Sequence, residues 1–449
     1  MTAAARKLQK KSAAAPHKRA GRRSGETGGA RRFSGNPGVT TWIIALATAC
    51  FEGLGMLLTF STADEAHKVP FAVVSLVMVI LGLVSTLKFP RWFSMDPLMM
   101  GLTNFLCGTG VLLLCTVSPD RGIRQCIFYV AGLMIMVVFS MVVDRVRRFR
   151  GLTLVSMVLG IVALTLPLIF GQWVFGAKNW LPVFGGFSIQ PSEFVKLSLI
   201  LSLAYYFSSH RTLLQMLPAI LFTGACLLLL MLQRDLGTAL IYYLTALIMF
   251  FVASGNLLLT ALGLGGGVGA ALLGYRMFAH VKVRVAMWRN PWSDPMGGGY
   301  QIIQALLAIG SGGLYGMGLG QGTPGKIPAY YNDFIFAVAC EQMGQVFGIA
   351  LLLIYVLLFA RGISASLNCR HSMNMLLGCG TVAALSIQTL MITAGVIKLI
   401  PITGVTMPFL SYGGSSYVTC MAMVGILQGV YAINHREERT AMAEGGNRG

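Results

Sequence analysis

Charge is what this 449-residue chain has least of. Asp, Glu, Lys and Arg make up 11% of it, against about a quarter in a soluble domain. Acids are the scarcest, 15 in all. No Cys-x-x-Cys pair occurs among the nine cysteines (50, 107, 115, 126, 226, 340, 369, 379, 420), and most of them fall inside apolar runs. They read as small hydrophobes rather than a disulfide frame or zinc site. The six histidines form no His-Glu-x-x-His motif, so a built-in metal site is not expected. Segments alternating at strand period are missing as well, which argues against a membrane barrel. What fills the chain is apolar residue, 55%, in recurring runs of about 20, the length that spans a bilayer as a helix. The fold class is therefore an all-α polytopic membrane protein.

Twelve helices are expected, near 39–61, 69–88, 97–116, 122–143, 151–173, 193–208, 213–231, 236–253, 257–275, 334–360, 372–396 and 416–434. The net charge of +19 suggests nucleic acid until its distribution is read: ten of the 34 basic residues lie between Arg6 and Arg32. A basic tail before a first membrane helix fixes that end in the cytoplasm and can touch anionic lipid. Residues 1–38 are expected to be disordered from their Ala, Gly, Ser and Arg content. The next apolar run, Val39 to Phe60, is too long for a signal peptide and lacks a small-residue cleavage site. With the N-terminus inside, Lys88 and Arg91, "DRVRRFRG" (144–151), "SHRT" (209–212), Arg361 and Arg370, and "NHREER" (434–439) all fall on the cytoplasmic side, as the positive-inside rule requires. An even helix count returns the C-terminal tail, 435–449, to the cytoplasm. The segment 276–333, rich in Gly and Pro, is left as a large outer loop, and a loop that long is usually functional. Its start is expected to form a short amphipathic surface helix. "YQIIQALLAIGSGGLYGMGLG" is expected to form a half-buried or re-entrant helix followed by a glycine-rich turn.

With so few acids, their positions are informative. Most sit in tails, at helix ends or in short loops, Asp96 and Asp144 among them. Glu52 lies within the first helix and should face other helices and a structural partner, because an acid against lipid costs about 2.5 kcal/mol or more. Five others, Glu193, Asp235, Asp294, Asp333 and Glu341, all map to the outer half of the membrane or its outer surface. Glu193 stands three residues before Lys196, on one helix face, so the pair either neutralises itself or lines a cavity. Asp235 fits the first turn of a helix, where an acid favours the macrodipole. Asp333 has the position of a cap for the helix at Phe334. Glu341 needs a polar neighbour. Asp294, in "NPWSDPMGGGYQ" (290–301), precedes a proline that holds it extended or in a turn, and composition alone makes it a turn-former.

A second irregular patch, "KLIPITGVTMPFLSYGGSS" (398–416), breaks a helix at outer-membrane depth, where non-helical backbone survives only if protein buries it or it lines a wet cavity. Ser411, Gly413, Gly414, Ser415 and Ser416 offer hydroxyls and backbone N–H groups that a phosphate can use. Their spacing matches neither a P-loop nor a dinucleotide fingerprint.

Taken in order, these segments resemble the SEDS (FtsW/RodA/SpoVE-like) family. "GAKNW" (176–180), "QPSEFVK" (190–196), "QRDLGTAL" (233–240), "NPWSDPMGGGYQIIQALLAIGSGGLYGMGLGQG" (290–322), "DFIFAVACEQMG" (333–344) and "PITGVTMPFLSYGGSS" (401–416) are similar to the family's signatures. The resemblance covers roughly residues 97 to 434. It implies a ten-helix core, 96–434, to which this chain adds an N-terminal pair, 39–95. Arg234 replaces the family's usual Pro, and Gln342 stands where a second Glu is common.

The resemblance implies a peptidoglycan glycosyltransferase that polymerises lipid II at the outer face of the bacterial plasma membrane. Its role would lie in division, elongation or sporulation, with a class B penicillin-binding protein as partner and no nucleic acid. It also implies that Asp294 is the essential loop aspartate, the base that takes a proton from the attacking sugar hydroxyl. Arg284, Arg289, Lys326, Lys398 and Lys196 are candidates for the departing pyrophosphate. No tightly bound cofactor is expected. A divalent cation, Mg or Mn, held between pyrophosphate and Asp333 or Glu341, is a further expectation. A lipid II flippase or a non-catalytic scaffold of a wall-synthesis complex are the alternative readings.

Overall fold

The computed structural model describes residues 38–62, 64–145, 149–174, 176–182, 188–209 and 213–446. The basic tail expected at the N-terminus and most of the basic loops near 146–148 and 210–212 lie outside the described residues. Two helices open the described chain, α1 (Val39–Thr62) and α2 (Glu65–Phe93). After them come α3 (Pro97–Val117), α4 (Pro119–Arg145) and α5 (Phe149–Phe170). A small antiparallel sheet then intervenes: β1 (Gln172–Val174), β2 (Ala177–Pro182) and β3 (Ser188–Ile189), in the order β1-β2-β3. The sequence reading carried a helix to 173 and expected no strands here. Strands this short show no period to read, and β2 is held partly from outside, by Lys178 N–H donating to Gln233 O at 2.9 Å.

The chain continues through α6 (Pro191–Ser209), α7 (Leu213–Leu232), α8 (Leu236–Ser254) and α9 (Leu257–Met277). The loop segment holds α10 (Ala279–Arg289), a 3-10 turn at Pro291–Ser293, α11 (Tyr300–Gly312) and a second 3-10 turn at Pro324–Lys326. The surface helix and half-buried helix expected there are α10 and α11. Last come α12 (Ile335–Leu367), α13 (Ser372–Val396) and α14 (Gly414–Gly446). Eleven of these helices are long and apolar enough to cross a membrane among the described residues. The other helix of spanning length, α6, has 19 residues and is made less apolar by Glu193 and Lys196. The protein is a multi-pass helical membrane protein. α14 runs well past residue 434, where the span was expected to end, supported by Arg436 bonding to Asp144 and Arg370 near Glu437.

Small residues let the central helices touch backbone to backbone. A side chain at Gly425 would place its Cβ 2.5 Å from Met136 O, and one at Gly429 would lie 2.7 Å from Ser140 O. These glycines, four apart on α14, form the seam against α4, as small-xxx-small spacing does in lipid, where dispersion and not water expulsion drives association. α3, α13 and α14 are the most enclosed spans, whereas α9 has no buried residue.

Two acids occupy surroundings unlike those expected. Asp96 is fully buried rather than solvated at a helix end. It caps α3 by accepting from Leu98 N–H (2.7 Å) and Met99 N–H (3.1 Å), pairs with Arg361 of α12, and exchanges backbone bonds with Gln428 of α14. Glu52 does face helices, at 2% exposure. Its carboxylate tip sits over Gly108, and neither oxygen has a hydrogen-bond partner among the described residues. The structural partner expected for it is thus a space left by glycine and not a polar group.

Replacing Gly425 by Val should cost about 1–3 kcal/mol by overpacking the seam. Gly151→Ala, where an added Cβ meets nothing within 4 Å, should be neutral or slightly stabilising. Melting temperatures of the purified variants in one detergent check both, and equal values for the two would contradict the seam.

Candidate functional site

At the end of the bundle that carries the 278–334 segment, β2, α6, α8, α10, α11 and residues 402–406 surround a cavity of about 190 Å³. Three of the five expected acids line it, Glu193, Asp235 and Asp333, together with Arg234 and Arg284.

Asp235 is at the tight turn between α7 and α8. Its Oδ1 accepts from Thr238 N–H (3.1 Å), so it caps α8. Its Oδ2 accepts from Asn179 Nδ2 (2.8 Å) on β2 and Gln190 Nε2 (3.2 Å) before α6. One carboxylate therefore ties three elements at the cavity wall. α8 also comes close to residues 402–406: a Cβ on Gly237 would lie 2.6 Å from Thr403 O.

Glu193 and Lys196 pair at 3.0 Å on α6, and Lys196 is 1% exposed. The ammonium also donates to Gln388 Oε1 on α13 at 2.8 Å. Gln388 Nε2 passes the chain on to Thr406 O (2.8 Å), and Thr406 Oγ1 meets Ser416 Oγ at 2.7 Å. A buried pair has to recover its desolvation cost through such extra bonds. Both readings of the pair hold in part, since it neutralises itself and Glu193 still faces the cavity.

Asp333 does not cap α12. The cap position is Phe334, which makes no side-chain bond. The carboxyl faces the cavity and Arg284 instead, and burial pushes its pKa up to about 7 although the guanidinium pulls the other way. Arg284, on α10, reaches Thr403 O and Ile402 O only at 3.4 and 3.5 Å.

Asp294 stands at the rim, exposed, just after the Pro291–Ser293 turn. Its Oδ2 accepts from Gly298 N–H at 2.8 Å, and Gly298 is itself part of the cavity wall. The glycines that follow are steric necessities. A Cβ at Gly297 would lie 2.3 Å from Asp294 Oδ2, and one at Gly299 2.0 Å from Pro291 O.

The remaining candidates lie elsewhere. Glu341 accepts from Thr323 N–H at 2.9 Å. It holds the glycine-rich turn against a kink of α12 at Gly344, where Met317 and Gly318 N–H groups bond to the carbonyls of Glu341 and Gln342 (2.9 Å each). Arg289 and Lys326 are exposed and Lys398 half-buried, and none of them lines the cavity. Ser411 accepts from Met407 N–H (2.8 Å) and donates to Asn332 O (2.6 Å), and Ser415 accepts from Gln190 N–H (3.2 Å). Gly413 leads into α14, where a Cβ on Gly414 would press on Phe128. Asn179, Gln190 and Gln388 were missed by sequence reasoning. Gln190 and Asn179 stand inside the signatures "QPSEFVK" and "GAKNW", which carried the signal that could have found them, but nothing local marks Gln388.

The family model of the FtsW/RodA/SpoVE cell cycle proteins matches residues 118–436. The chain belongs to this family. It is 38% identical over 322 residues to the Stage V sporulation protein E of Bacillus subtilis, covering 68% of this chain and 86% of that protein. It is 32% identical over 358 residues to the peptidoglycan glycosyltransferase RodA of Mycobacterium leprae, covering 74% and 77%. Among solved structures, Thermus thermophilus RodA superposes with a TM-score of 0.58 at 28% identity, covering 76% of this chain and 98% of that one. A chain from a study of the structural coordination of polymerization and crosslinking by a peptidoglycan synthase complex gives 0.62 at 25%, covering 77% and 99%. This SEDS chain thus extends beyond the length it shares with those solved structures.

A preformed metal cage does not fit the cavity residues. Among the described residues no group of three or more His, Cys, Asp or Glu is arranged so that it could hold a metal ion. Both oxygens of Asp235 and one of Glu193 are already engaged.

The raised pKa of Asp333 has a sign that can be checked. Between its ordinary value of 3.8 and about 7 the folded protein binds a proton that the unfolded chain releases. This contribution to stability is full at low pH and is lost as pH rises through that window, then stays flat. Asp333→Asn should remove that slope and gain stability relative to wild type above pH 7. Melting temperatures from pH 4 to 8 measure it, and identical profiles for the two proteins would contradict the assignment.

Proposed function

We propose that this SEDS protein is a peptidoglycan glycosyltransferase that polymerises lipid II, with the 190 Å³ cavity and its rim as the reaction centre. The observation carrying this reading is the bond from Gly298 to Asp294, which joins the exposed acid to the wall of a cavity lined by Arg284 and Asp333. The names of the relatives, peptidoglycan glycosyltransferases RodA and FtsW, support the reaction class. A cavity this small is below the roughly 300–1,000 Å³ that engulfs a whole ligand. It would hold the diphosphate–sugar junction while peptide and polyprenyl chain lie outside.

In the reaction, the 4-hydroxyl oxygen of one sugar forms a bond to C1 of another. The C1–oxygen bond to the diphosphate breaks, and undecaprenyl pyrophosphate leaves with the electron pair. Asp294 takes the hydroxyl proton, a role worth about 10² to 10⁴-fold. Arg284 stands where charge grows on the leaving group and favours the transition state over the ground state. The Glu193–Lys196 pair and Asp235 hold the wall in place. Asp333 is a second candidate for the proton, favoured by its pKa of about 7, close to the value a base needs at neutral pH.

The reaction centre faces the outside of the plasma membrane, both termini are cytoplasmic, and a class B penicillin-binding protein supplies crosslinking. The structural neighbour from a polymerization and crosslinking complex supports that pairing. A divalent cation, Mg or Mn, would take Asp333 and the diphosphate as its ligands, since hard cations often bind through one or two carboxylates and substrate phosphates. Undiminished polymerisation in excess chelator would remove the cation.

Polymerisation of purified lipid II by the purified protein with its partner tests the assignment. Asp294→Asn should lower the rate about 10² to 10⁴-fold. Asp333→Asn should leave most of the rate if Asp294 is the base, and should abolish a rise through about pH 7 if Asp333 is. Polymer from Asp294→Asn at the wild-type rate would sink the first assignment. Flipping of lipid II in liposomes without polymer would favour the transporter reading.

A further inference from the structure

Arg234 is where this chain departs from the family's Gln-Pro-Asp segment, and the structure shows what that departure entails. The residue has φ of 62°, a left-handed backbone that glycine and asparagine adopt readily and other L-residues adopt at a cost. The turn imposes it. Arg234 N–H donates to Met231 O (3.0 Å), Asp235 N–H to Leu230 O (2.9 Å), and Lys178 N–H to Gln233 O (2.9 Å). A proline, held near −65°, cannot take this conformation. Strained backbone of this kind gathers at ligand clamps and active sites, and here the strained residue lines the cavity.

Its side chain is placed for use. The guanidinium carbon lies 5.0 Å from the Trp173 ring centroid on β1, a stacking contact that orients the plane without consuming its donors. No carboxylate pairs with Arg234 or Arg284 among the described residues. Arg284 makes only the two long contacts to carbonyls already described. Of the acids on the cavity wall, Asp235 and Glu193 are committed to other partners, and Asp333 faces Arg284 without forming an ion pair among the described residues. A third basic group is close: half-buried His280 on α10 has its pKa lowered by burial and by Arg284 and Arg234, and its Nε2 has no hydrogen-bond partner among the described residues. Two guanidiniums brought to one cavity with no ion pair to either among the described residues leave room for an anionic ligand.

We propose that Arg234 and Arg284 form a two-guanidinium clamp on the diphosphate of the polyprenyl-linked sugar, with Arg234 a substrate-binding residue that Trp173 orients. The clamp rests on the glycosyl-transfer reading of the cavity. Two planar forks suit a diphosphate, whose oxygens accept paired N–H bonds from each. As the bond from C1 breaks, charge moves onto the oxygen that the clamp faces, and the same contacts serve the leaving group.

The test uses the full-length protein in nanodiscs, with its partner, as wild type, Arg234→Gly and Arg234→Lys. Glycine suits the left-handed turn, so Arg234→Gly should melt at the wild-type temperature or above. It should nonetheless raise the KM for lipid II and the inhibition constants of undecaprenyl pyrophosphate and inorganic pyrophosphate by about tenfold, the loss of one charge-assisted contact. Lysine keeps the charge without the fork and should fall between. Wild-type KM and inhibition constants in Arg234→Gly would overturn the clamp. So would a melting temperature that falls together with activity, which would make Arg234 a structural residue. Weakened inhibition by undecaprenyl pyrophosphate alone would overturn recognition of the diphosphate in favour of the lipid. If wild type makes no polymer, the glycosyl-transfer reading fails, and direct binding of undecaprenyl pyrophosphate to the same three proteins still decides the clamp.

Discussion

Inside a bilayer no water is available to satisfy polar groups, and much of this structure follows from that constraint. Several charged and amide side chains carried into the bundle are matched by groups from other elements. Asp96 gathers Arg361 and Gln428. Lys196 gathers Glu193 and Gln388, and the chain of bonds runs on to Thr406 and Ser416. Asp235 gathers Asn179, Gln190 and the first turn of α8. Even the break in α12 at Gly344 obeys the rule, because the glycine-rich turn inserts there and its N–H groups take the carbonyls of Glu341 and Gln342.

Against that background, groups left uncommitted stand out. Arg284 and Arg234 lack carboxylate partners among the described residues, Asp333 holds its proton to about pH 7, and Asp294 bonds only to its own turn through Gly298. These four lie in or beside one cavity. Charged groups left without ion pairs around one cavity mark a candidate ligand site. Glu52 is the exception within the added helix pair, a buried carboxyl with no polar partner among the described residues and a glycine beneath it.

How legible the site was depended on how local its causes are. The acid positions, the proline before which Asp294 turns, and the three glycines after it are all readable along the chain, and their steric reason appears once Gly297 and Gly299 are seen against Asp294 and Pro291. The cap at Asp235 was likewise visible from its place before an apolar run. Asp333 had the same credentials and does not cap, because α12 begins a residue later than its position required. Glu341 shares a side with the other acids yet serves the glycine-rich turn. The hydroxyls of Ser411, Ser415 and Ser416 are bonded to protein partners.

The sequence by itself determined the helices, because periodic apolar runs and scarce charge leave a chain in lipid few ways to satisfy its backbone. It also determined the ordered family signatures. Only the tertiary structure decided which acids meet. It brought β2 against the α7–α8 turn, gave Asp235 its Asn179 partner, and set Arg234 on Trp173 across the same turn. Such contacts join residues 55 to 61 apart in the chain, and no local pattern marks a side chain whose partner arrives from another element.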